Sequence, residues 1–225
     1  RWADALSAQG EHERAAEHYR SARALYRQRA HPEGVSAALR GSADQAVALG
    51  ETLSAEALYD QAELHTTTDV EQANRLIGWA GLAIAQADWR RARTFLERAN
   101  RTAREEPLIH ANCLRRKADL SLRSGDPITA IELANEALHL YTAWGFTGAS
   151  ARCRRLCGDA EAIQGAHKAA MQHYREAIQD HLSGGDKRGA QRTATHIAGL
   201  LRSQNHEDAA QTIERIMYGL KGATT

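Results

Sequence analysis

What this sequence has little of narrows what it can be. Three prolines in 225 residues leave long stretches in which a helix meets no breaker. With alanine, leucine, arginine and glutamate abundant, the composition favours helix almost throughout. The three cysteines, Cys113, Cys153 and Cys157, are too few and odd in number for a disulfide framework, and fit a reducing cytoplasm. Lysine is scarce: only Lys117, Lys168, Lys187 and Lys221 stand among 29 basic residues. Because 28 acidic residues offset these, no net field gathers a phosphate backbone, and direct nucleic-acid binding is not expected. The apolar run "LIGWAGLAIAQA", Leu76 to Ala87, is too short to span a bilayer, so no membrane partner is expected. No phosphate loop, GxSxG elbow or HExxH set occurs, and the expectation is no enzyme, no cofactor and no metal.

What the sequence does have is a repeat. Six segments align on a turn residue: "GEHERAAEHYRSA" from Gly10, "GETLSAEALYDQA" from Gly50, "ADWRRARTFLERA" from Ala87, "GDPITAIELANEA" from Gly125, "GAHKAAMQHYREA" from Gly165 and "QNHEDAAQTIERI" from Gln204. Five residues after each start comes Ala15, Ala55, Ala92, Ala130, Ala170 or Ala209. Four later stands Tyr19, Tyr59, Leu96, Ala134, Tyr174 or Ile213, and three beyond that Ala22, Ala62, Ala99, Ala137, Ala177 or Ile216. A period near forty leaves two helices of roughly 15 residues, each about 23 Å long. One such hairpin cannot bury its apolar face alone, whereas a stack of them can. Alanine is then kept where a second helix crosses its neighbours at close range. The repeats run roughly 1–30, 31–66, 67–105, 106–144, 145–184 and 185–220, a single domain over 1–225. The chain opens at Arg1 inside the pattern, so a segment of a longer polypeptide is expected.

Local signals agree. Asp126 followed by Pro127 reads as an N-cap and an N1 proline. "TDVE", Thr68 to Glu71, reads as a capping box, and Pro107 suits a helix start. The linkers "HPEG", "GFTG" and "GDKRG" place Gly34, Gly148 and Gly189 just before a new first helix.

The pattern resembles the tetratricopeptide repeat (TPR), whose signature is a small turn residue, then alanine, an aromatic and alanine. The resemblance covers nearly the whole chain and departs from the family's 34-residue period. The longer form is similar to repeat arrays of bacterial multidomain regulators: antibiotic-regulatory-protein-type activators, the maltose-activator group of ATP-dependent regulators, and peptide-pheromone receptors. It implies an all-α, right-handed α-α superhelical solenoid of about six hairpins, with first helices lining a concave groove that takes a protein or peptide segment, or other domains of the same chain. The implied role is the interaction domain of a bacterial transcriptional regulator. The alternatives are an accessory scaffold for an enzyme or secretion complex, and the regulatory array of a signalling ATPase or pheromone receptor.

If that groove carries over, Arg40/Asp44, Arg115/Asp119 and Arg155/Asp159 are i,i+4 pairs on its face. They form either a charged ladder for a segment bearing both signs or a solvated scaffold network. The third repeat interrupts the ladder with Ile77 and Gly81, with Asn74 on the same side. That stretch suits a partner's apolar anchor or a tight helix crossing. Arginine and aspartate stand where carboxylate-clamp TPRs carry lysine and asparagine, which disfavours such a clamp. His12, His167 and His206 recur at one repeat position, so they are spread along the array and read as packing residues. The cysteines read as small packing residues, and Trp144 as a cover over the preceding helix end.

Overall fold

The computed structural model describes residues 2–103 and 105–219; the end of the sixth repeat at Leu220 lies outside them. Among the described residues the chain is all-α, with twelve helices and no strand. They are α1 (Trp2–Ala8), α2 (His12–Gln28), α3 (Pro32–Ala48), α4 (Thr52–Glu63), α5 (Asp69–Ala85) and α6 (Trp89–Thr102), followed by α7 (Pro107–Arg123), α8 (Pro127–Ala143), α9 (Thr147–Ile163), α10 (His167–Ser183), α11 (Lys187–Ser203) and α12 (Glu207–Gly219). The chain divides into two compact units, Arg1–Ser124 and Gly125–Thr225. In the first unit each helix packs on the next, and α1, α3, α5 and α7 also lie side by side. In the second, α8 to α12 pack in succession, with α9 against α11.

The turns after α1, α3, α5, α7, α9 and α11 explain the repeat. Each first helix ends where one residue takes positive φ: Gly10, Gly50, Ala87, Gly125, Gly165 and Asn205. Asn205 corrects the phase of the sixth repeat, since asparagine tolerates the left-handed region and Gln204 is the preceding C-cap. The buried alanine of that repeat is therefore Ala210, fully buried like Ala15, Ala55, Ala92, Ala130 and Ala170, while Ala209 is exposed. Counted from Asn205, the later positions are Glu214 and Met217, not Ile213 and Ile216.

The caps form as the local signals require. Asp126 accepts from the Thr129 N–H at 3.1 Å with Pro127 opening α8. Thr68 and Glu71 close a reciprocal capping box, and Pro107 opens α7. The linker glycines lie inside the first turns of α3, α9 and α11 rather than before them. Two of these serve close approach: a methyl on Gly34 would meet the Tyr26 ring, and one on Gly189 the His181 ring.

Between hairpins, size is traded across the seam. A methyl added to Gly41 of α3 would stand 2.5 Å from Cζ of Tyr19 on α2, and one on Gly78 of α5 would stand 2.5 Å from Cε1 of Tyr59 on α4. Tyrosine rings thus lie against bare helix backbone. At two matching positions the sequence pairs a smaller second-helix residue with a larger first-helix one, Leu96 with Arg116 and Ala134 with Leu156, while the seam onto α11 pairs two rings, Tyr174 with His196. Gly78→Ala is expected to destabilise the first unit by about 1–3 kcal/mol through overpacking, measured by urea denaturation. Adding Tyr59→Leu should recover part of that loss, since a shorter side chain vacates the space the methyl needs.

Candidate functional site

Two of the three aspartates of the expected ladder are held by tyrosines that stand 15 residues later on the second helix. Tyr59 donates its hydroxyl to Asp44 at 2.5 Å, and Tyr174 to Asp159 at 2.9 Å. Tyr19 does the same with Asp4, at 2.6 Å. Burial first, and the adjoining carboxylate second, push all three phenols far above their ordinary pKa, so each remains a neutral donor. Where the tyrosine is replaced, this clasp goes with it: Leu96 stands 15 residues after Gly81, and Glu214 after Gly199. The spacing was visible in the sequence as Asp followed fifteen residues later by Tyr, which occurs four times; the other instance, Asp126 and Tyr141, runs along α8, with Asp126 as its N-cap.

The arginines behave less uniformly than the i,i+4 pattern suggests. Only Arg155 closes its pair, reaching Asp159 at 2.6 Å. His196 adds a further contact to Asp159 from α11, at 2.7 Å, so that carboxylate has three partners. Asp119 turns away from Arg115: Arg123 donates to it at 2.9 Å and Arg116 stands 4.0 Å off. Among the described residues neither Arg40 nor Arg115 closes an ion pair, and both are half-buried. The charge of Arg40 instead acts on Asp4, Tyr19 and Tyr59.

Of the two forms open to the third repeat, an apolar anchor site or a tight helix crossing, the buried side chain of Ile77 does not fit the first. Ile77 is 7% exposed and packs with Ala73, Leu76, Ala99, Ala103, Ile109 and Cys113, so it is core rather than groove lining. Gly81 is covered by Arg116, whose Nη2 would lie 3.1 Å from an added methyl. With no side chain on α5 at that point, the guanidinium reaches over the helix into the field of Asp44 and Tyr59. Burial, then the neighbouring Arg115, pull the Arg116 pKa down, and its Nε has no hydrogen-bond partner among the described residues. Asn74 stays half-buried on α5. The sequence pattern missed Arg116 because it lies one residue beyond the i,i+4 register.

At the first and second repeats the row borders a cleft of 480 Å³ between α1, α2 and α3. Asp4, Tyr19, Arg40 and Asp44 supply its polar side, and Trp2, Leu25 and Tyr26 its apolar wall. Trp2 is 80% exposed and Leu25 56%, so both stand beside the charged side chains of the cleft.

Other candidates have local roles. His12 meets Gln45 at 2.9 Å, and His173 meets Glu161 at 3.4 Å. All three cysteines are buried free thiols; burial raises Cys113 to about 11 and Cys157 to about 12, which leaves them poorly reactive. Trp144 caps α8 and makes an edge contact with Phe146, which packs likewise on Tyr141.

No family model and no curated protein matches the sequence. Among solved structures the chain is similar to the crystal structure of BtubC (BKLC) from P. vanneervenii, at a TM-score of 0.66 and 14% identity, over 98% of this chain and 93% of that one. That likeness establishes an all-helical fold of packed helices in consecutive pairs.

The two kinds of arginine predict different outcomes. Arg155→Glu places a carboxylate against Asp159 and should cost about 1–3 kcal/mol in thermal or urea unfolding. Arg115→Glu breaks no ion pair and should stay within about 0.5 kcal/mol of the parent in the same assay.

Proposed function

We propose that this chain is a tetratricopeptide-type binding module, a right-handed superhelix whose first-helix faces capture a protein or peptide segment. In this reading it serves as the interaction domain of a bacterial transcriptional regulator in the cytoplasm and has no catalytic role. The regulator context rests on the resemblance of its long-period repeats. The capture role is supported chiefly by one observation, the α1–α3 cleft, where charges of both signs sit beside exposed apolar side chains. Its aspartates are held in place by tyrosine hydroxyls before any ligand arrives, so little ordering cost remains on binding. Arg40 retains its capacity to grip a carboxylate in a two-pronged bond. No helix among the described residues is long and apolar enough to cross a membrane.

Panning the purified chain against a phage-displayed random peptide library tests this. Enriched peptides should combine an apolar residue with charges of both signs. Arg40→Glu should weaken a synthetic winner about tenfold in fluorescence anisotropy, a loss of about 1.4 kcal/mol, with little change in melting temperature. No enrichment over an unrelated helical control, or full affinity in Arg40→Glu, overturns the proposal. So does tight DNA binding with a steep salt dependence, which would mark a phosphate-backbone partner.

A further inference from the structure

Consecutive second helices leave grooves floored by the first helix between them, at positions other than those of the charged row. Three such grooves differ sharply in content. Between α2 and α4 the groove measures 480 Å³ and mixes charged side chains, Glu13, Glu17, Arg20, Arg23 and Glu51, with Ala46, Leu49 and Leu58. Between α4 and α6 it is filled from within. Trp79 of α5 stacks on Phe95 with centroids 5.7 Å apart and lies 5.4 Å from the Tyr59 ring.

Between α10 and α12 the matching positions hold smaller groups. Ile197 stands eight residues before its turn, as Trp79 does, and Ile213 eight after, as Phe95 does. The result is an open cleft of 570 Å³ walled by Met171, Ile178, Leu201, Ile216 and Met217. Ile216 is 59% exposed. The α2–α4 groove carries charges of both signs among its apolar residues, whereas this cleft carries a single charged residue, Arg175, among its described lining residues.

The cleft also has a sign. Its polar lining is Arg175, Gln179 and Thr212, with no carboxylate among the described lining residues. Arg175 is exposed and closes no ion pair among the described residues. Glu214, on α12, is held by both terminal nitrogens of Arg202, each at 2.9 Å, and leaves that charge unanswered.

We propose that the α10–α12 cleft is a docking site for a partner's peptide segment carrying a bulky aromatic side chain next to a carboxylate. The ring takes the place that Trp79 occupies in the first unit, and the carboxylate meets Arg175. The site shares no residue with the first-helix row, and it does not depend on that row's function.

Met171 and Met217 are the chain's two methionines and both line the cleft, so their labelled methyl signals report its occupancy directly. The probes are the blocked dipeptides acetyl-Trp-Glu-amide, acetyl-Trp-Lys-amide and acetyl-Ala-Glu-amide, titrated by methyl NMR. Acetyl-Trp-Glu-amide should shift both methyls and bind about three-fold tighter than the lysine dipeptide, the scale of one exposed charge pair. The alanine dipeptide should move neither. Ile197→Trp, which fills the cleft as Trp79 fills its counterpart, should abolish the response with an unchanged or raised melting temperature. Arg175→Glu, an exposed change that leaves the packing intact, should reverse the Glu-over-Lys preference. The first-helix variant Arg40→Glu should leave these shifts untouched, which separates this proposal from the peptide-capture reading. Unmoved methyls, equal affinity for the glutamate and lysine dipeptides, or parental binding by Ile197→Trp overturns it.

Discussion

A tyrosine ring laid against bare helix backbone is the constraint from which much of the first unit follows. At Tyr19 over Gly41 and Tyr59 over Gly78 there is no room for even a methyl group. A ring buried this way leaves its hydroxyl at the edge of the contact, where a polar atom out of water requires a partner. The partner is an aspartate on the first helix of the same hairpin, Asp4 or Asp44. The position of the acidic row is thus a consequence of seam packing. Its carboxylates are oriented by the core, although they face the surface.

The same logic accounts for the places where the row breaks. Where Leu96 replaces the tyrosine there is no hydroxyl to satisfy, and the aspartate position has become Gly81. Arg116 lies across the gap, drawn toward Asp44 and Tyr59 while burial and Arg115 oppose it. A charge centred on one repeat is thereby partly answered from two first helices away. Asp119, fifteen residues before an alanine, has no tyrosine hydroxyl to receive and is gripped by Arg123 instead.

Periodicity reported the fold because turns and full burial leave little choice of residue. Glycine at positive φ and alanine at zero exposure recur for steric reasons that any helix hairpin shares. The sixth repeat slipped by one because "QN" and "AA" are both doublets, and only the backbone distinguishes Asn205 from Gln204 and Ala210 from Ala209. Side-chain pairing was less legible. Arg115 and Arg155 have the same spacing to an aspartate, yet only Arg155 closes on it, because long side chains choose among several partners within reach. Ile77 was assigned to the groove by counting along a helix. Its burial depends on Ala99, Ala103 and Ile109 from other helices, which no single-helix count contains.

One displaced aromatic connects the two candidate surfaces. In the first unit the seam reads Gly78 then Trp79, and the ring that packs on Tyr59 comes from the second of these. In the second unit it reads His196 then Ile197, and the ring beside Tyr174 comes from the first, with centroids 5.9 Å apart. A step of one residue turns a side chain by about 100° around a helix. That rotation carries the aromatic out of the groove between second helices and brings it onto the charged row. Two effects follow together: the groove over α11 loses its internal filler and stands open at 570 Å³, and Asp159 gains the His196 contact at 2.7 Å. The open cleft and the triply held aspartate are therefore two results of one change at the tyrosine seam, where His196 stands in the place of Gly78.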